Sequence, residues 1–158
     1  MSALAEAADA AAHGKVSLRL WLRLLACSNL IEKTVRTRLA DEFSTTLPRF
    51  DVLATLERAP HGLQLGELSR LLRVSNGNVT GIIAHLAQEG LVDRRAQPSD
   101  ARVVRVSLTP AGRTAFGPMA RAHEAWIEEL TQGFDAADQE ALLELLTRLR
   151  RTLARGRG

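Results

Sequence analysis

The sequence predicts a mainly α-helical fold that contains one small β-hairpin. Two observations indicate this class. Apolar residues recur at helical spacing through most of the 158 residues, and two short runs rich in valine and arginine flank a turn at Pro98, Ser99 and Asp100. With 46% hydrophobic residues, the chain is apolar enough to form one compact module with helical extensions.

The chain is expected to begin with a disordered, alanine-rich tail over residues 1–15, which lacks the basic start of a secretory signal. A dimerisation helix is predicted over residues 16–45, because an apolar stripe repeats at helical spacing through Leu18, Leu22, Leu25, Ile31, Val35 and Leu39. Further apolar residues make this stripe wider than a single domain of this size readily covers. We therefore expect the helix to pack against a second chain.

Three short helices are predicted next. The first opens at Leu47-Pro48 and ends before Pro60, and the second spans residues 65–72. Ser75 is a good N-cap for the third, which is predicted over residues 75–89. Gly90 then stands where a helix C-cap favours left-handed backbone geometry.

A β-hairpin is predicted over residues 92–108, with its turn at residues 96–101. Two short helices with a tight connection, followed by such a hairpin, make a winged helix-turn-helix. Residues 46–112 are therefore expected to form a DNA-binding domain, in which residues 75–89 are the recognition helix and residues 92–108 are the wing.

The C-terminal part, residues 113–155, is predicted to form two more dimerisation helices. Thr109-Pro110 is a typical helix start, and Gly117-Pro118 predicts a kink in the helix that follows. A last helix is expected to begin at Asp135, with leucines at the spacing of a packing seam: Leu142, Leu145, Leu146, Leu149 and Leu153.

The recognition helix has an unusual predicted outward face. If Val79, Ile82, Ile83 and Leu86 point inward, the outward residues are Gly77, Thr80, Gly81, Ala84 and Gln88, flanked by Asn78 and His85. Such small and polar side chains allow a close approach to the floor of the DNA major groove, where amides pair with adenine edges. The alternative is an ordinary surface helix.

The charge distribution favours a nucleic-acid partner. Residues 61–113 contain 7 Lys and Arg against 4 Asp and Glu, so their net charge equals the +3 of the whole chain. Arg94, Arg95, Arg102 and Arg105 stand on paired strands of the wing, where they repel one another unless an anion is close. Double-stranded DNA supplies that anion, and a solvated arginine-rich hairpin is the alternative.

Other classes of protein find little support. The longest apolar stretch is broken by Arg19 and Arg23, so no membrane segment is expected. A single cysteine, Cys27, forms no internal disulfide, which favours a cytoplasmic location, and its apolar helix predicts buried packing.

The sequence contains no glycine-rich phosphate loop and no nucleophile with a paired base, so we expect no enzyme, no catalytic residue and no cofactor. The four histidines are scattered, so no metal site is expected either.

The run from Thr46 to Gly112 resembles the multiple-antibiotic-resistance regulator (MarR) family of bacterial transcription factors. The most specific parts are GNVTGIIAHLAQEGLVDRR and PSDARVVRVSLTPAG, with an Asp-x-Arg in the wing and a Leu-Thr-x-x-Gly helix start. The order of elements on either side also matches that family.

The resemblance implies that Arg102 enters the minor groove and that Asp100 helps to orient it. It also implies a triangular homodimer with interleaved N- and C-terminal helices, which reads a pseudo-palindromic operator. We expect a repressor, and an activator is the alternative, because the sign depends on where the operator lies relative to a promoter. The full set of DNA-contacting residues expected from the helix face and from the resemblance is Ser75, Asn76, Gly77, Asn78, Thr80, Gly81, His85, Arg94, Arg95, Asp100 and Arg102.

The segments LWLRLLACSNLIEKTVRTRL and TTLPRFDVLATLERAP are similar to a subgroup that responds to aromatic acids or their coenzyme A thioesters. This similarity implies an aryl pocket lined by Trp21, Leu25, Ser28, Asn29 and Phe50, with Arg36 and Arg38 at the phosphates of coenzyme A. Alternatively, Trp21 belongs to the core, and the two arginines are solvated or contact the DNA backbone.

A competing function remains open from the sequence. A winged-helix dimer also serves as an architectural protein, or as an anti-repressor that binds protein and has no small-molecule effector. The salt dependence of DNA binding separates these classes, because arginine contacts to phosphate weaken steeply as salt rises.

Overall fold

A computed structural model describes residues 2–72 and 76–156. Over these ranges the chain forms six α-helices and three β-strands, which confirms the mainly α class with a small hairpin. The elements in chain order are α1 (Ser2–Phe43), α2 (Leu47–Glu57), β1 (Leu63–Gln64), α3 (Leu65–Leu72), α4 (Asn76–Gln88), β2 (Val92–Gln97), β3 (Asp100–Leu108), α5 (Pro110–Leu130) and α6 (Ala136–Arg155).

Helix α1 is longer than the sequence predicted. It begins at Ser2, so the segment expected as a disordered tail over residues 1–15 is helical from Ser2 onward. Alanine has the highest helix propensity of all residues, and the tail consists largely of alanine. The composition that suggested a loose tail therefore also favours extension of the helix.

The hydrophobic core lies in the winged helix-turn-helix. Its side chains come from the end of α1, from α2, α3 and α4, and from β3, and the largest fully buried ones are Leu39, Val52, Leu53, Leu56, Leu68, Val79, Ile83, Leu86 and Val106. Burial of each such side chain contributes about 1.5–3 kcal/mol. This core fixes α4 against the rest of the module.

The three strands form one antiparallel sheet in the order β1-β3-β2. Leu63 pairs with Val106, and Val92 pairs with Leu108. The sequence did not predict β1, because a strand of two residues is too short to show a periodic pattern. The turn of the wing is tighter than predicted and involves only Pro98 and Ser99.

The wing, the recognition helix and α5 meet at one corner of the module. The Thr109 hydroxyl donates to the Gly90 carbonyl at 2.6 Å, and the Thr109 backbone N–H donates to the Leu91 carbonyl at 3.1 Å. The Gly112 N–H in turn donates to the Thr109 hydroxyl at 2.9 Å. A Cβ on Gly112 would lie only 2.0 Å from the Leu91 carbonyl oxygen. The Leu-Thr-x-x-Gly motif therefore joins the end of α4 to the start of α5.

The chain divides into two compact units, Met1–His123 and Glu124–Gly158. In the second unit Asp135 caps α6, because its carboxylate accepts the Asp138 N–H at 2.8 Å as the sequence predicted. Helix α5 runs through Pro118. The leucine seam of α6 is exposed within the chain, at Leu142, Leu145, Leu146 and Leu153.

Much of α1 between Val16 and Ile31 is also uncovered within the chain. Its exposed large apolar residues are Val16, Leu18, Leu20, Trp21, Leu22, Leu25, Leu30 and Ile31. Cys27, which was expected to be buried, is exposed because it lies in this uncovered segment. Among the described residues no helix is both long and apolar enough to span a bilayer.

We expect the substitution Gly112→Ala to destabilise the protein by about 1–3 kcal/mol, because the added methyl group overlaps the Leu91 carbonyl and forces the backbone to shift. Thermal unfolding followed by circular dichroism measures the effect. Gly66→Ala is the matched control, since a Cβ there meets no atom within 4 Å and alanine favours the helix. Equal unfolding midpoints for the Gly112 variant and the wild type would contradict the role of the corner.

Candidate nucleic-acid interface

Helix α4 presents one polar face of small side chains. Val79, Ile83 and Leu86 are buried as predicted, whereas Ile82 is only half-buried. On the opposite side the exposed residues are Gly77, Asn78, Thr80, Gly81, His85 and Gln88, and Ala84 is half-buried. We call these outward residues the small-residue face.

No packing among the described residues requires glycine at the two glycine positions of the small-residue face. A Cβ placed on Gly77 or Gly81 meets no atom within 4 Å, although glycine costs a helix about 1 kcal/mol relative to alanine. The absence of these side chains leaves the backbone of α4 open to a close approach from outside. That property suits a surface that enters the major groove.

Two expected contact residues fall at the edge of the described chain. Ser75, the predicted N-cap, lies outside the described residues, so its capping role stays a prediction. Asn76 is the first residue of α4, and its side chain is outside the described part.

The wing presents exposed charged residues along both of its strands. Arg94, Arg95, Asp100 and Arg102 are exposed on β2 and β3. The Asp100 carboxylate accepts the backbone N–H of Arg102 at 3.0 Å, which is the local bond that aspartate forms in many turns. Asp100 therefore fixes the backbone from which the Arg102 side chain projects, at the first residues of β3.

Two of the four wing arginines have partners within the chain, which the sequence did not predict. Arg95 and Arg105 stand directly opposite each other in the sheet. However, the Arg95 guanidinium binds the Asp93 carboxylate at 2.6 Å, and Arg105 donates to the Gly62 carbonyl at 2.9 Å. Repulsion between these two arginines is thus relieved within the chain, and Arg105 anchors the base of the wing to Gly62.

A further contact holds the C-terminal end of α4. The Arg49 guanidinium, at the start of α2, binds the Glu89 carboxylate at 2.5 Å. This hydrogen bond lowers the pKa of Glu89 below its usual value and outweighs the small effect of burial. This pair is not predictable from the sequence, because its members are 40 residues apart and no local pattern links them.

The predicted aryl pocket is divided between a buried and an exposed set. Phe50 is buried, with its ring 5.5 Å from Phe116 and 4.8 Å from His123 between ring centroids. Trp21, Leu25, Ser28 and Asn29 are exposed on α1. The adjacent Asp51 is half-buried, and burial raises the pKa of its carboxyl despite the opposing effect of His123.

The two arginines expected at coenzyme A also differ. Arg36 is exposed and forms an ion pair with Glu32 on the same helix, whereas Arg38 is half-buried. A shallow depression on α1 is lined by Asn29, Glu32, Lys33, Arg36 and Thr37. Two of the predicted ligand residues, Asn29 and Arg36, line this depression. The role of the aryl pocket stays a prediction. Among the described residues, no group of three or more histidine, cysteine or acidic side chains is arranged so that it could hold a metal ion.

Comparison with known proteins agrees with this architecture. The family model described as "MarR family" matches residues 45–104. The transcriptional activatory protein BadR of Rhodopseudomonas palustris is 32% identical over 148 residues, which is 90% of this chain and 84% of BadR.

Two solved structures are also similar. A MarR family transcriptional regulator from Silicibacter pomeroyi has 30% identity and a TM-score of 0.76 over 89% of this chain and 97% of that protein. A MarR mutant from E. coli, solved with operator DNA, has 24% identity and a TM-score of 0.73 over 83% of this chain and 93% of that protein, and it shares the fold.

The names of these relatives are those of transcriptional regulators, which confirms the predicted class over an enzyme. The winged helix-turn-helix, the match to the family model and the 32% identity to BadR over most of both chains lead to one conclusion. The chain belongs to the MarR family of transcriptional regulators.

Proposed function

We propose that this regulator binds a pseudo-palindromic operator as a homodimer in the cytoplasm, and that an aromatic acid or its coenzyme A thioester releases it. The observation that supports DNA binding most directly is the small-residue face of α4, which lies in the same module as an arginine-bearing hairpin. Operator DNA is also the partner with which the E. coli MarR mutant of the same fold was solved.

The two parts of the module have separate roles in this proposal. The small-residue face enters the major groove, where Asn78 and Thr80 contact base edges or phosphates. Arg102 extends from the wing into the adjacent minor groove, whose negative potential attracts a guanidinium. Asp100 supports that contact through its hydrogen bond to the Arg102 backbone.

The uncovered apolar residues support dimerisation. Exposed Leu and Trp side chains along α1 and exposed leucines along α6 exceed what a soluble monomer usually presents to water. A second copy of the chain would bury them, as the family resemblance implies. Two recognition helices related by a two-fold axis then meet half-sites about one DNA turn apart.

The effector is proposed from residues of α1. Trp21 and Leu25 offer apolar surface for an aryl ring in the assembled dimer, close in the sequence to the polar groups of Ser28 and Asn29. Arg36 and Arg38 are suited to the phosphates of a coenzyme A tail. Release of DNA derepresses a promoter that overlaps the operator. BadR is named as an activator, so an operator placed elsewhere gives the opposite sign of regulation.

The substitution Arg102→Ala is expected to raise the operator Kd about tenfold or more, since an arginine contact in a groove contributes about 1–3 kcal/mol. The slope of log K against log salt falls by about one unit. Fluorescence anisotropy with a labelled operator, at several salt concentrations, measures both quantities. Arg121→Ala is the control, because this exposed arginine lies outside the winged module. A wild type without salt-dependent DNA binding would favour the anti-repressor alternative.

Addition of benzoic or 4-hydroxybenzoic acid, or of the corresponding coenzyme A thioester, is expected to release the operator in a gel-shift titration. Acetyl coenzyme A is the control for the coenzyme A tail alone. The double substitution R36Q/R38Q weakens the response to the thioester and spares the response to the free acid, because only the thioester brings phosphates. Unchanged operator binding with every compound, at millimolar concentration, would rule out the aryl class of effector.

A further inference from the structure

The C-terminal end of the recognition helix is held by two other elements of the module. Thr109, at the start of α5, binds the Gly90 and Leu91 carbonyls through its hydroxyl and its backbone N–H. Arg49, at the start of α2, binds the Glu89 carboxylate at 2.5 Å. The three consecutive residues that follow α4 are therefore each fixed by a named partner.

Glu89 occupies a particular position on the recognition helix. It lies four residues after His85, and its backbone N–H continues the helical pattern by donating to the His85 carbonyl at 3.1 Å. Residues four apart lie on the same side of a helix, so Glu89 extends the line formed by Gly81 and His85. An acidic side chain at the end of the small-residue face would repel DNA phosphates unless a cation neutralises it.

The Arg49 guanidinium provides that neutralisation and also restricts the side chain. The Arg49 side chain is 23% exposed, so it is largely packed against the module, whereas the Glu89 side chain is 48% exposed. An arginine whose own position is fixed by packing holds its carboxylate partner better than a fully solvated one does. The lowered pKa of Glu89 is consistent with a carboxylate that stays charged in this contact.

We propose that Arg49 and Glu89 are positioning residues for operator recognition: their ion pair sets the orientation of α4 relative to α2 and keeps the Glu89 carboxylate away from the DNA backbone. The pair acts through the helix and needs no contact with a base. It therefore governs the discrimination between operator and unrelated DNA more than the overall affinity. This inference rests on the operator binding proposed above.

A second ion pair on α2 provides a matched control. Glu57, at the end of the same helix, binds Arg113 of α5 at 3.1 Å, and the two side chains are 42% and 41% exposed. This pair also joins α2 to another element by one arginine and one glutamate. It differs from the Arg49–Glu89 pair in two respects: its arginine is more exposed than Arg49, and neither of its members belongs to α4 or directly follows it in the chain.

The test measures the Kd of the wild type and of each variant for two duplexes. One is an operator captured from genomic DNA with the wild-type protein, and the other is a scrambled duplex of the same length. The variants are R49Q, E89Q and the swapped double variant R49E/E89R, with E57Q and R113Q as controls. R49Q is compared with R113Q, and E89Q with E57Q, because the two variants in each comparison lose the same charge and loss of a charge shifts binding to all DNA. The ratio of the two Kd values removes that general effect.

We expect R49Q and E89Q each to lower the discrimination ratio by about tenfold, although they change the net charge in opposite directions. R49E/E89R restores the ratio to within about threefold of the wild type, and E57Q and R113Q leave it within about twofold. Thermal unfolding confirms that each variant is folded. If a single variant does not fold, the discrimination ratio of the swapped variant alone tests the contribution of the pair.

Two results would overturn the inference in distinguishable ways. A wild type that binds both duplexes equally would refute the proposed function and the inference with it. A wild type that discriminates, together with R49Q and E89Q variants that discriminate equally well, would refute the positioning role alone.

Discussion

The contact on which the module most depends is the close approach of Gly112 to the Leu91 carbonyl. There is no room for a side chain at Gly112. Beside it, Thr109 donates hydrogen bonds to the carbonyls of both Gly90 and Leu91. Because β3 leads directly into Thr109, this one corner sets where the wing stands relative to the end of the recognition helix. A protein that contacts two grooves at once needs that distance to be fixed.

Two features are unfavourable for the isolated chain and are explained by partners. Gly77 and Gly81 weaken α4 without relieving a clash among the described residues, and the leucines of α1 and α6 are exposed in the single chain. In the proposed function, duplex DNA would account for the first feature and a second copy of the chain for the second. The exposed position of Cys27 has the same origin, since it lies in the uncovered part of α1.

Local patterns predicted the winged module well. The bounds of α3 agree with the predicted residues 65–72, and the buried positions of α4 follow its apolar spacing, because both depend on residues that are neighbours in the chain. The long-range contacts were not predictable in this way. The Arg105 contact to Gly62 and the Arg49 contact to Glu89 join residues 43 and 40 positions apart, and a strand as short as β1 has no period. The prediction of a disordered tail over residues 1–15 was wrong for a different reason, since alanine is common both in loose segments and in helices.

The central claim is that two copies of this module read DNA symmetrically through α4 and the β2–β3 hairpin. A hydroxyl-radical footprint of the full-length protein on an operator captured from genomic DNA tests it most directly. The account predicts two protected regions related by a pseudo-two-fold axis, with centres about one helical turn apart and minor-groove protection beside each. A single protected region without symmetry, at a concentration that saturates the operator, would contradict it.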